Sequence, residues 1–494
     1  MKRTRQGHGG ATLPCSARPS GTLRVSIFAS LRFLSPGKPF MCRWATGMSP
    51  LLGFFFALVS VIHAAEKPNL VFIIADDLGW ADVAFHGGRV PTPNLDRLKA
   101  EGVELARHYV APVCSPTRTG LMTGRCWSRF GVTSPQNNQA LPFDTVTLPR
   151  ALKQCGYDTA LTGKWHLGSK PEWGPNPFGF DHSYGSLAGG VGPYDHRYKK
   201  GEFSVTWHRN GELLEEEGHV TDLIADEAVK WIGERGEAPF FLYVPFTAVH
   251  LPVKEPKAWL DLVPATITGG VPRHYAACIA HLDDAVGRIV RAIDEAGKGE
   301  RTLIVFTSDN GGSTAENNDT KYPADDYPEG NLPGDNTPLR GKKGDLYEGG
   351  IRVPTVARWS GRIPAGSVCE APVQITDWMP TFGGLAGFEG GGLKWDGIDA
   401  WGAITGSAAP PDRVIYSVAP GFRARSLHQG NWKLIASGGG KGGEEKHELF
   451  NLREDPEERR DLATVEPAKV AEMRASLETM ASADRDAVVG KPVD

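Results

Sequence analysis

Cysteine is scarce in this 494-residue chain, which contains only 7. Five of these cysteines lie beyond residue 65, at positions 114, 126, 155, 278 and 369. So sparse a set is not the framework of a small disulfide-built protein, although it leaves room for one or two bridges.

Acidic residues are absent from positions 1–65, which carry eight Lys or Arg. The rest of the chain has 46 basic and 58 acidic residues, a formal charge of about −12. A chain this acidic is a poor general binder of nucleic acid. Its 40% hydrophobic residues, with 13 Trp and 21 Phe, predict a sizeable core and exclude global disorder or a fibrous fold.

Long hydrophobic runs are missing apart from residues 51–62, which are fewer than the roughly 20 residues of a membrane-spanning helix. This run follows a basic stretch and precedes Ala64 and Ala65, an arrangement typical of a secretory signal. We therefore expect residues 1–65 to be a leader and signal peptide, cleaved near Ala65. The mature chain would be exported to a periplasmic or extracellular compartment, with no stable transmembrane span. The alternative is an N-terminal membrane anchor.

The pattern beyond residue 66 alternates short apolar runs with amphipathic stretches. The runs at 69–75, 239–246 and 302–308 are apolar on both faces, as in the central strands of a parallel sheet. Residues 92–102 and 274–297 have the periodicity and end signals of helices. This alternation predicts an α/β fold with a large, mixed, mostly parallel sheet flanked by helices.

The pattern changes after about residue 410, where short strand-like runs surround a Gly-rich turn. We predict a main domain over 66–410. Residues 411–494 then form a small α+β domain of antiparallel sheet plus a charged helix that starts at Asp455. Residues 310–339 are polar and aperiodic, which is typical of a functional loop.

Oxygen-bearing side chains directly follow two of the predicted strands. Asp76 and Asp77 come after the run at 69–75, and Asp309 and Asn310 come after the run at 302–308. Because the carboxyl ends of parallel strands meet at one edge of a sheet, these four side chains can converge there. Adjacent carboxylates with an amide suit a hard cation, either Ca²⁺ or Mg²⁺. A single pair of polar residues after one strand would more often cap a helix or a turn than bind a metal.

A cysteine heads the segment 114–125, Cys-Ser-Pro-Thr-Arg-Thr-Gly-Leu-Met-Thr-Gly-Arg. A lone cysteine is usually a small buried hydrophobe. Here Cys114 precedes a predicted helix and has a cation nearby at Arg118. These surroundings favour an anion or an activated nucleophile.

This segment resembles the signature of the sulfatase family, Cys-x-Pro-x-Arg followed by Thr-Gly. The resemblance extends from about residue 67 to the C-terminus. The other matching segments are ADDLGW at 75–80, GKWHLG at 163–168, TAVHLP at 247–252, SDNGG at 308–312, LRGKKG at 339–344, YEGG at 347–350 and ELFNL at 448–452.

The resemblance implies an alkaline-phosphatase-like fold and hydrolysis of sulfate monoesters, here of a sulfated saccharide. In that family the cysteine is oxidised to formylglycine, whose hydrate is the nucleophile, so a formylglycine-generating enzyme is an expected partner. The cofactor implied is Ca²⁺ in preference to Mg²⁺. Its ligands would be Asp76, Asp77, Asp309, Asn310 and the modified Cys114.

The chemistry of sulfate ester hydrolysis gives the matched residues their expected roles. Arg118 would hold and polarise the hydrate made from Cys114. Lys164 and Lys343 would supply positive charge at the sulfate oxygens. The family pattern favours Lys343 over its neighbour Lys342, because Lys343 directly precedes a glycine.

Two histidines complete the expected site. His250 would donate a proton to the leaving oxygen, and His166 would act as a base on the second hydroxyl, so that sulfate is expelled and the aldehyde regenerated. His182 and His196 lie outside the motifs, and we expect them to pack or hydrogen-bond rather than bind metal. Residues 178–198 and 310–339 would form the rim of the pocket.

Two alternatives remain open on the sequence. A related fold and the same nucleophile can serve phosphorus, so the chain could be a phosphoester or phosphonate monoester hydrolase. It could also be a catalytically silent protein that binds sulfated glycans, with Cys114 left as a thiol. The complete set of lysines and histidines favours sulfate hydrolysis.

Overall fold

The computed structural model describes residues 66–317, 322–324, 326–409, 412–439 and 444–489. The predicted leader and signal peptide, residues 1–65, lie outside this range. Within the described residues, no helix has both the length and the apolar character needed to cross a membrane.

The regular elements follow the predicted alternation. The strands are β1 Asn69–Ala75, β2 Val103–Leu105, β3 His108–Tyr109, β4 Asp158–Thr162, β5 His182–Ser186, β6 Trp207–Arg209, β7 Glu212–Leu213, β8 Phe240–Pro245, β9 Thr302–Ser308, β10 Val356–Arg358, β11 Ser367–Cys369, β12 Val373–Gln374, β13 Val414–Val418, β14 Ala424–Gln429, β15 Trp432–Gly438 and β16 Glu445–Asn451. The α-helices are α1 Pro93–Glu101, α2 Cys114–Thr123, α3 Leu148–Gln154, α4 Val220–Gly233, α5 Lys257–Leu260, α6 Gly270–Glu295, α7 Glu348–Ile351, α8 Trp378–Ala386, α9 Trp401–Ile404 and α10 Pro467–Ala481.

The main sheet has ten strands in the order β11-β2-β10-β9-β1-β8-β4-β5-β6-β7. The central strands β9, β1, β8, β4 and β5 are parallel to one another. Antiparallel pairings occur towards the edges, where β10 meets β9 and β6 meets β5. The predicted mixed, mostly parallel sheet is therefore confirmed.

The central strand β1 explains why the sheet is covered on both faces. All seven of its residues are buried. Leu70, Phe72 and Ile74 pack into one hydrophobic core, which includes residues of α2, α3 and α8. Val71 and Ile73 point to the other face, into a core with residues of α1, α4 and α6. A strand that is apolar at every position needs helices on both sides, because successive side chains point to opposite faces.

The C-terminal part forms a separate four-stranded antiparallel sheet in the order β13-β14-β15-β16, with α10 beside it. This agrees with the predicted antiparallel sheet plus helix. The helix does not start at Asp455 as predicted, but at Pro467. The intervening segment instead folds against the sheet, where Asp461 Oδ1 accepts hydrogen bonds from the backbone N–H groups of Leu449 and Ala463 at 3.0 and 2.9 Å.

Candidate active site

The predicted site residues gather at the carboxyl ends of the parallel strands. Asp76 follows β1 and Asp309 follows β9, and the backbone N–H of Asp309 donates to Ala75 O at 3.0 Å. The segment that carries His250 follows β8, and its Ala248 carbonyl accepts from the N–H of Asp76 at 2.8 Å. The pairing of strands thus brings together residues that are far apart in the sequence.

The four oxygen-bearing side chains predicted to bind a cation are fully buried together. Asn310 Nδ2 donates to Asp77 Oδ1 at 2.7 Å, and the backbone N–H of Asp77 donates to Asp309 Oδ1 at 3.2 Å. Asp76 Oδ1 and Asn310 Oδ1 are buried without a hydrogen-bond partner. Unpartnered buried oxygens are costly unless a cation takes them as ligands, so this group of residues fits a hard divalent ion.

The charges around the carboxylates differ between the two adjacent aspartates. Burial, together with the charge of Asp309, raises the pKa of Asp76 to about 7. Burial opposes ionisation of Asp77 as well, but the charge of Lys343 and the hydrogen bonds from Lys343 and Asn310 lower its pKa to about 2. A cation between these groups would relieve the repulsion that raises the pKa of Asp76.

Cys114 is the first residue of α2 and is buried. Burial raises the pKa of its thiol, against the opposing charges of Lys164 and Lys343. Burial thus works against activation of the unmodified thiol, because the loss of solvation outweighs the charges of the two nearby lysines. A thiol that stays protonated is a weak nucleophile.

Arg118 lies one helical turn after Cys114 and is fully buried. Its Nη2 pairs with Asp309 Oδ2 at 2.9 Å, and its Nη1 donates to the Lys164 carbonyl at 2.6 Å. The hydroxyl of Tyr243, which sequence reasoning missed, lies 3.5 Å from the same Nη1. These contacts fix the start of α2 against the ends of β4 and β9.

The two predicted lysines each pair with one of the adjacent aspartates. Lys164 Nζ pairs with Asp76 Oδ2. Lys343 Nζ lies 2.7 and 2.8 Å from the two carboxylate oxygens of Asp77. The neighbouring Lys342 instead donates to Thr314 Oγ1 at 2.7 Å, at an exposed position. Of the two adjacent lysines, only Lys343 contacts the aspartates.

His166 and His250 are both poised to be neutral, for the same physical reasons. Burial lowers the pKa of each well below its usual value, and the charges of Lys164 and Lys343 act in the same direction. Both ring nitrogens of His166 are buried without a hydrogen-bond partner. His250 Nδ1 lies 2.5 Å from the Leu251 carbonyl, and because a carbonyl can only accept, Nδ1 carries a proton.

A glycine pair that sequence reasoning missed covers these histidines. A Cβ added to Gly189 would lie 2.4 Å from His166 Nε2, and one added to Gly190 would lie 3.0 Å from His250 Nδ1. No side chain fits between this backbone and the imidazole rings. The glycines lie within the predicted rim segment 178–198. The run Gly189-Gly190-Val191-Gly192 could have indicated a close approach of the backbone here. From the other rim segment, the Tyr322 hydroxyl donates to Leu251 O at 3.3 Å.

The C-terminal sheet holds the segment that carries Lys343, a connection that the sequence did not reveal. Lys433 Nζ, fully buried on β15, lies 3.0 Å from Glu348 Oε1 and 2.7 Å from Glu458 Oε1. Glu348 begins α7, and its backbone N–H donates to Glu458 Oε2 at 2.6 Å. Tyr109 OH also donates to Glu348 Oε2, at 3.1 Å. Two strongly buried carboxylates thus share one lysine just beyond the Lys343 segment.

His182 and His196 make contacts outside this site. His182 Nε2 pairs with Glu227 Oε1 at 2.9 Å, and His196 Nε2 lies 3.0 Å from the Gly218 carbonyl. His196 therefore hydrogen-bonds as expected, and His182 forms an ion pair with Glu227.

The fold and the site together define an enzyme-like arrangement, with buried charged side chains at the carboxyl edge of a parallel sheet. Comparison with known proteins makes the class specific. The profile of the sulfatase family matches residues 68–388. The chain therefore belongs to the sulfatase family, and its enzyme class is the sulfuric ester hydrolases.

Individual relatives agree with this assignment. Arylsulfatase J of Mus musculus is 33% identical over 381 residues, which cover 74% of this chain and 60% of the relative. N-acetylgalactosamine-6-sulfatase of Canis lupus familiaris is 32% identical over 410 residues, which cover 78% of this chain and 75% of the relative. The crystal structure of Ps i-CgsB in complex with k-i-k-neocarrahexaose has a TM-score of 0.75 at 30% identity, and covers 86% of this chain and 95% of that one.

Proposed function

We propose that this protein hydrolyses sulfate monoesters of a carbohydrate, with a formylglycine made from Cys114 as nucleophile and Ca²⁺ as cofactor. The observation that carries the proposal is that Cys114, Arg118 and Lys164, all buried, and the partly exposed Lys343 surround two buried oxygens that have no hydrogen-bond partner. These oxygens are Asp76 Oδ1 and Asn310 Oδ1. Membership of the sulfatase family supports sulfur as the reacting atom.

The proposed cation fits the oxygens available. Asp76, Asp77, Asp309 and Asn310 would hold it, together with the modified residue 114. When bound, Ca²⁺ would offset the three buried carboxylates and lower the pKa of a coordinated hydroxyl. All four protein ligands are hard oxygen donors, which is the chemistry that Ca²⁺ requires.

The modification is proposed because the unmodified thiol is unsuited to the reaction. Burial keeps the Cys114 thiol protonated. The hydrated aldehyde would supply two hydroxyls, one to attack sulfur and one whose deprotonation allows sulfate to leave. A formylglycine-generating enzyme is then a required partner in the cell.

The cationic side chains recognise and orient the ester. Lys164 and Lys343 both exert their charge on the position of Cys114. They would neutralise the sulfate oxygens, where negative charge lies in the transition state. Arg118 is pinned by Asp309 and the Lys164 carbonyl, so its guanidinium is fixed in place to orient the nucleophile.

The two histidines would move protons. His166 is neutral, desolvated and without a hydrogen-bond partner, which suits a base that accepts a proton at a ring nitrogen. His250 already carries its proton on Nδ1, so it must gain a second at Nε2 before it can protonate the leaving oxygen. The negative charge of a bound ester would favour that second proton.

The substrate class is proposed from two neighbours. One relative is named N-acetylgalactosamine-6-sulfatase, and one similar structure holds k-i-k-neocarrahexaose. We therefore propose a sulfated saccharide as the substrate. We also propose that the protein is exported after cleavage near Ala65. Its mature chain would consist of a catalytic domain at 66–410 and a C-terminal domain of antiparallel sheet and helix at 411–494.

The reaction is tested by measuring kcat/KM for an aryl sulfate and the matching aryl phosphate with mature, Ca²⁺-loaded protein. We expect the sulfate to be the better substrate and the Cys114→Ala variant to be inactive on both. A preference for the phosphate would favour a phosphoester hydrolase. Saturable binding of sulfated saccharides without turnover would indicate a glycan-binding protein. A screen of saccharides sulfated at defined ring positions would then identify the substrate.

A further inference from the structure

A second group of metal-ligating side chains lies outside the proposed active site. His219 caps the start of α4, and Asp222 is in its first turn. His281 comes from α6. One potential ligand atom from each of these three residues lies within 4.8 Å of the other two. Two helices, α4 and α6, thus bring nitrogen and oxygen ligands to one place.

The two imidazoles of this group have unsatisfied nitrogens. His219 and His281 are 6% and 0% exposed, and the Nε2 atom of each is buried without a hydrogen-bond partner. Carboxylate oxygens are near, since His281 Nε2 lies 3.2 Å from Asp222 Oδ1 and His219 Nε2 lies 3.4 Å from Glu255 Oε1. Neither Nε2 atom has a well-aligned hydrogen bond to these oxygens, although Asp222 and Glu255 both act electrostatically on His281. Nitrogens and carboxylates that converge in this way can be ligands of one cation.

A further carboxylate orients one of the rings. Glu255 Oε2 accepts a hydrogen bond from His281 Nδ1 at 2.8 Å, which leaves Nε2 directed at Asp222. A carboxylate on the far nitrogen of a histidine is the usual support of a metal-bound imidazole. Trp259 stacks on the His281 ring, with centroids 4.5 Å apart, and holds it in this orientation.

We propose that His219, Asp222 and His281 bind a zinc ion, with Glu255 as the supporting carboxylate. Two imidazoles and a carboxylate are typical zinc ligands, whereas the all-oxygen site at Asp76 and Asp77 suits calcium. The ion joins the start of α4 to the middle of α6. Through Glu255 it also anchors the segment that carries His250, five residues earlier in the chain. Its role is structural.

Two contacts compete with the metal. Arg288 Nη1 donates to Asp222 Oδ1 at 3.0 Å, so a cation already occupies one face of that oxygen. The backbone N–H of Thr221 donates to His219 Nδ1 over a long 3.3 Å. In the alternative explanation the group is a metal-free ion network, in which a protonated His281 lies between Glu255 and Asp222. Removal of Arg288 separates the two explanations, because it should strengthen zinc binding only if the site is real.

The test is a titration of mature, full-length protein with Zn²⁺ in saturating Ca²⁺, which keeps zinc out of the Asp76 site. We expect one zinc per chain by calorimetry, and a visible absorption band when Co²⁺ replaces Zn²⁺. Asp222→Asn and His281→Gln should weaken binding at least tenfold and lose the band, while Arg288→Gln should bind more tightly than the parent. Asp222 is 43% exposed, so its variant tests the site even if His281→Gln fails to fold.

The matched control is His182→Gln. His182 also pairs with a buried carboxylate, Glu227 at 2.9 Å, but among the residues that the structure describes it belongs to no group of three metal-ligating side chains, so this variant should bind zinc like the parent. The proposal is overturned if the parent takes up no zinc beyond the Ca²⁺-protected background. It is also overturned if Asp222→Asn binds zinc as tightly as the parent, or if Arg288→Gln binds zinc no more tightly than the parent.

Discussion

Replacing Lys433 with methionine should destabilise the protein strongly, and more so at alkaline pH. The side chain is fully buried between Glu348 and Glu458, at 3.0 and 2.7 Å. Removing the shared cation leaves two buried carboxylates without it, and breaking such a pairing costs about 3–5 kcal/mol. We expect the free energy of unfolding to fall by this amount at pH 8.

The pH dependence follows from Glu458. Burial, with the charge of Glu348, raises its pKa to about 7, above the value of about 4.3 for an unfolded chain. Between these values the native state holds a proton that the unfolded state lacks, so stability falls as the pH rises through this window. At pH 5.5 a neutral Glu458 leaves only Glu348 charged. The loss caused by Lys433→Met should then be smaller than at pH 8 by at least ~1 kcal/mol, since one pKa unit is worth about 1.4 kcal/mol.

The assay is urea unfolding followed by circular dichroism at both pH values. The control is Lys446→Met on the neighbouring strand β16, where the side chain is 69% exposed and its carboxylate partner lies 3.8 Å away. The free energy of unfolding of this variant should stay within about 0.5 kcal/mol of that of the parent. Equal unfolding midpoints for Lys433→Met and the parent at pH 8, or a larger loss at pH 5.5, would refute this reasoning.

Three further predictions concern the proposed chemistry. Lys343→Met should lower kcat for an aryl sulfate by about 10²–10³, the usual cost of losing a transition-state charge partner, while Lys342→Met stays near the parent; equal losses in steady-state assays would contradict the placement of Lys343. Cys114→Ser offers no second hydroxyl, so intact-mass analysis should find at most one sulfate transferred and no turnover, and sustained turnover would count against the hydrate. Chelation should abolish activity and Ca²⁺ should restore it, whereas a chelated preparation with full activity would exclude the cation.

The central sheet could be predicted because its strands are apolar on both faces. β1 and β9 match the predicted runs residue for residue, since every position of each is buried between two layers of helices. The meeting of Asp76 with Asp309 followed from the same sheet, because parallel strands place their carboxyl ends at one edge. The meeting of these two aspartates could therefore be predicted from local sequence patterns and one rule of sheet topology.

Other features had no local signal. Strand β14 reads Ala-Arg-Ser-Leu-His-Gln, and its buried Ser426 and His428 hide the apolar alternation of a strand. The partners of Lys433 lie 85 and 25 residues away and are joined only by the packing of the C-terminal sheet. The glycine at 189 was visible, but its contact with His166 depends on tertiary structure. The strength of desolvation at Cys114 could not be predicted either, because burial is set by the whole fold.

The central claim is that a chemically converted Cys114 carries out sulfate ester hydrolysis. The most direct measurement sets the specific activity on an aryl sulfate against the fraction of Cys114 converted to aldehyde. That fraction is read by mass spectrometry of the peptide containing residue 114, in preparations matured to different extents with Ca²⁺ present. The account predicts a straight line through zero, with repeated turnovers by the converted fraction alone. Repeated turnover by protein in which all Cys114 remains thiol would contradict it, as would inactivity of fully converted, Ca²⁺-loaded protein.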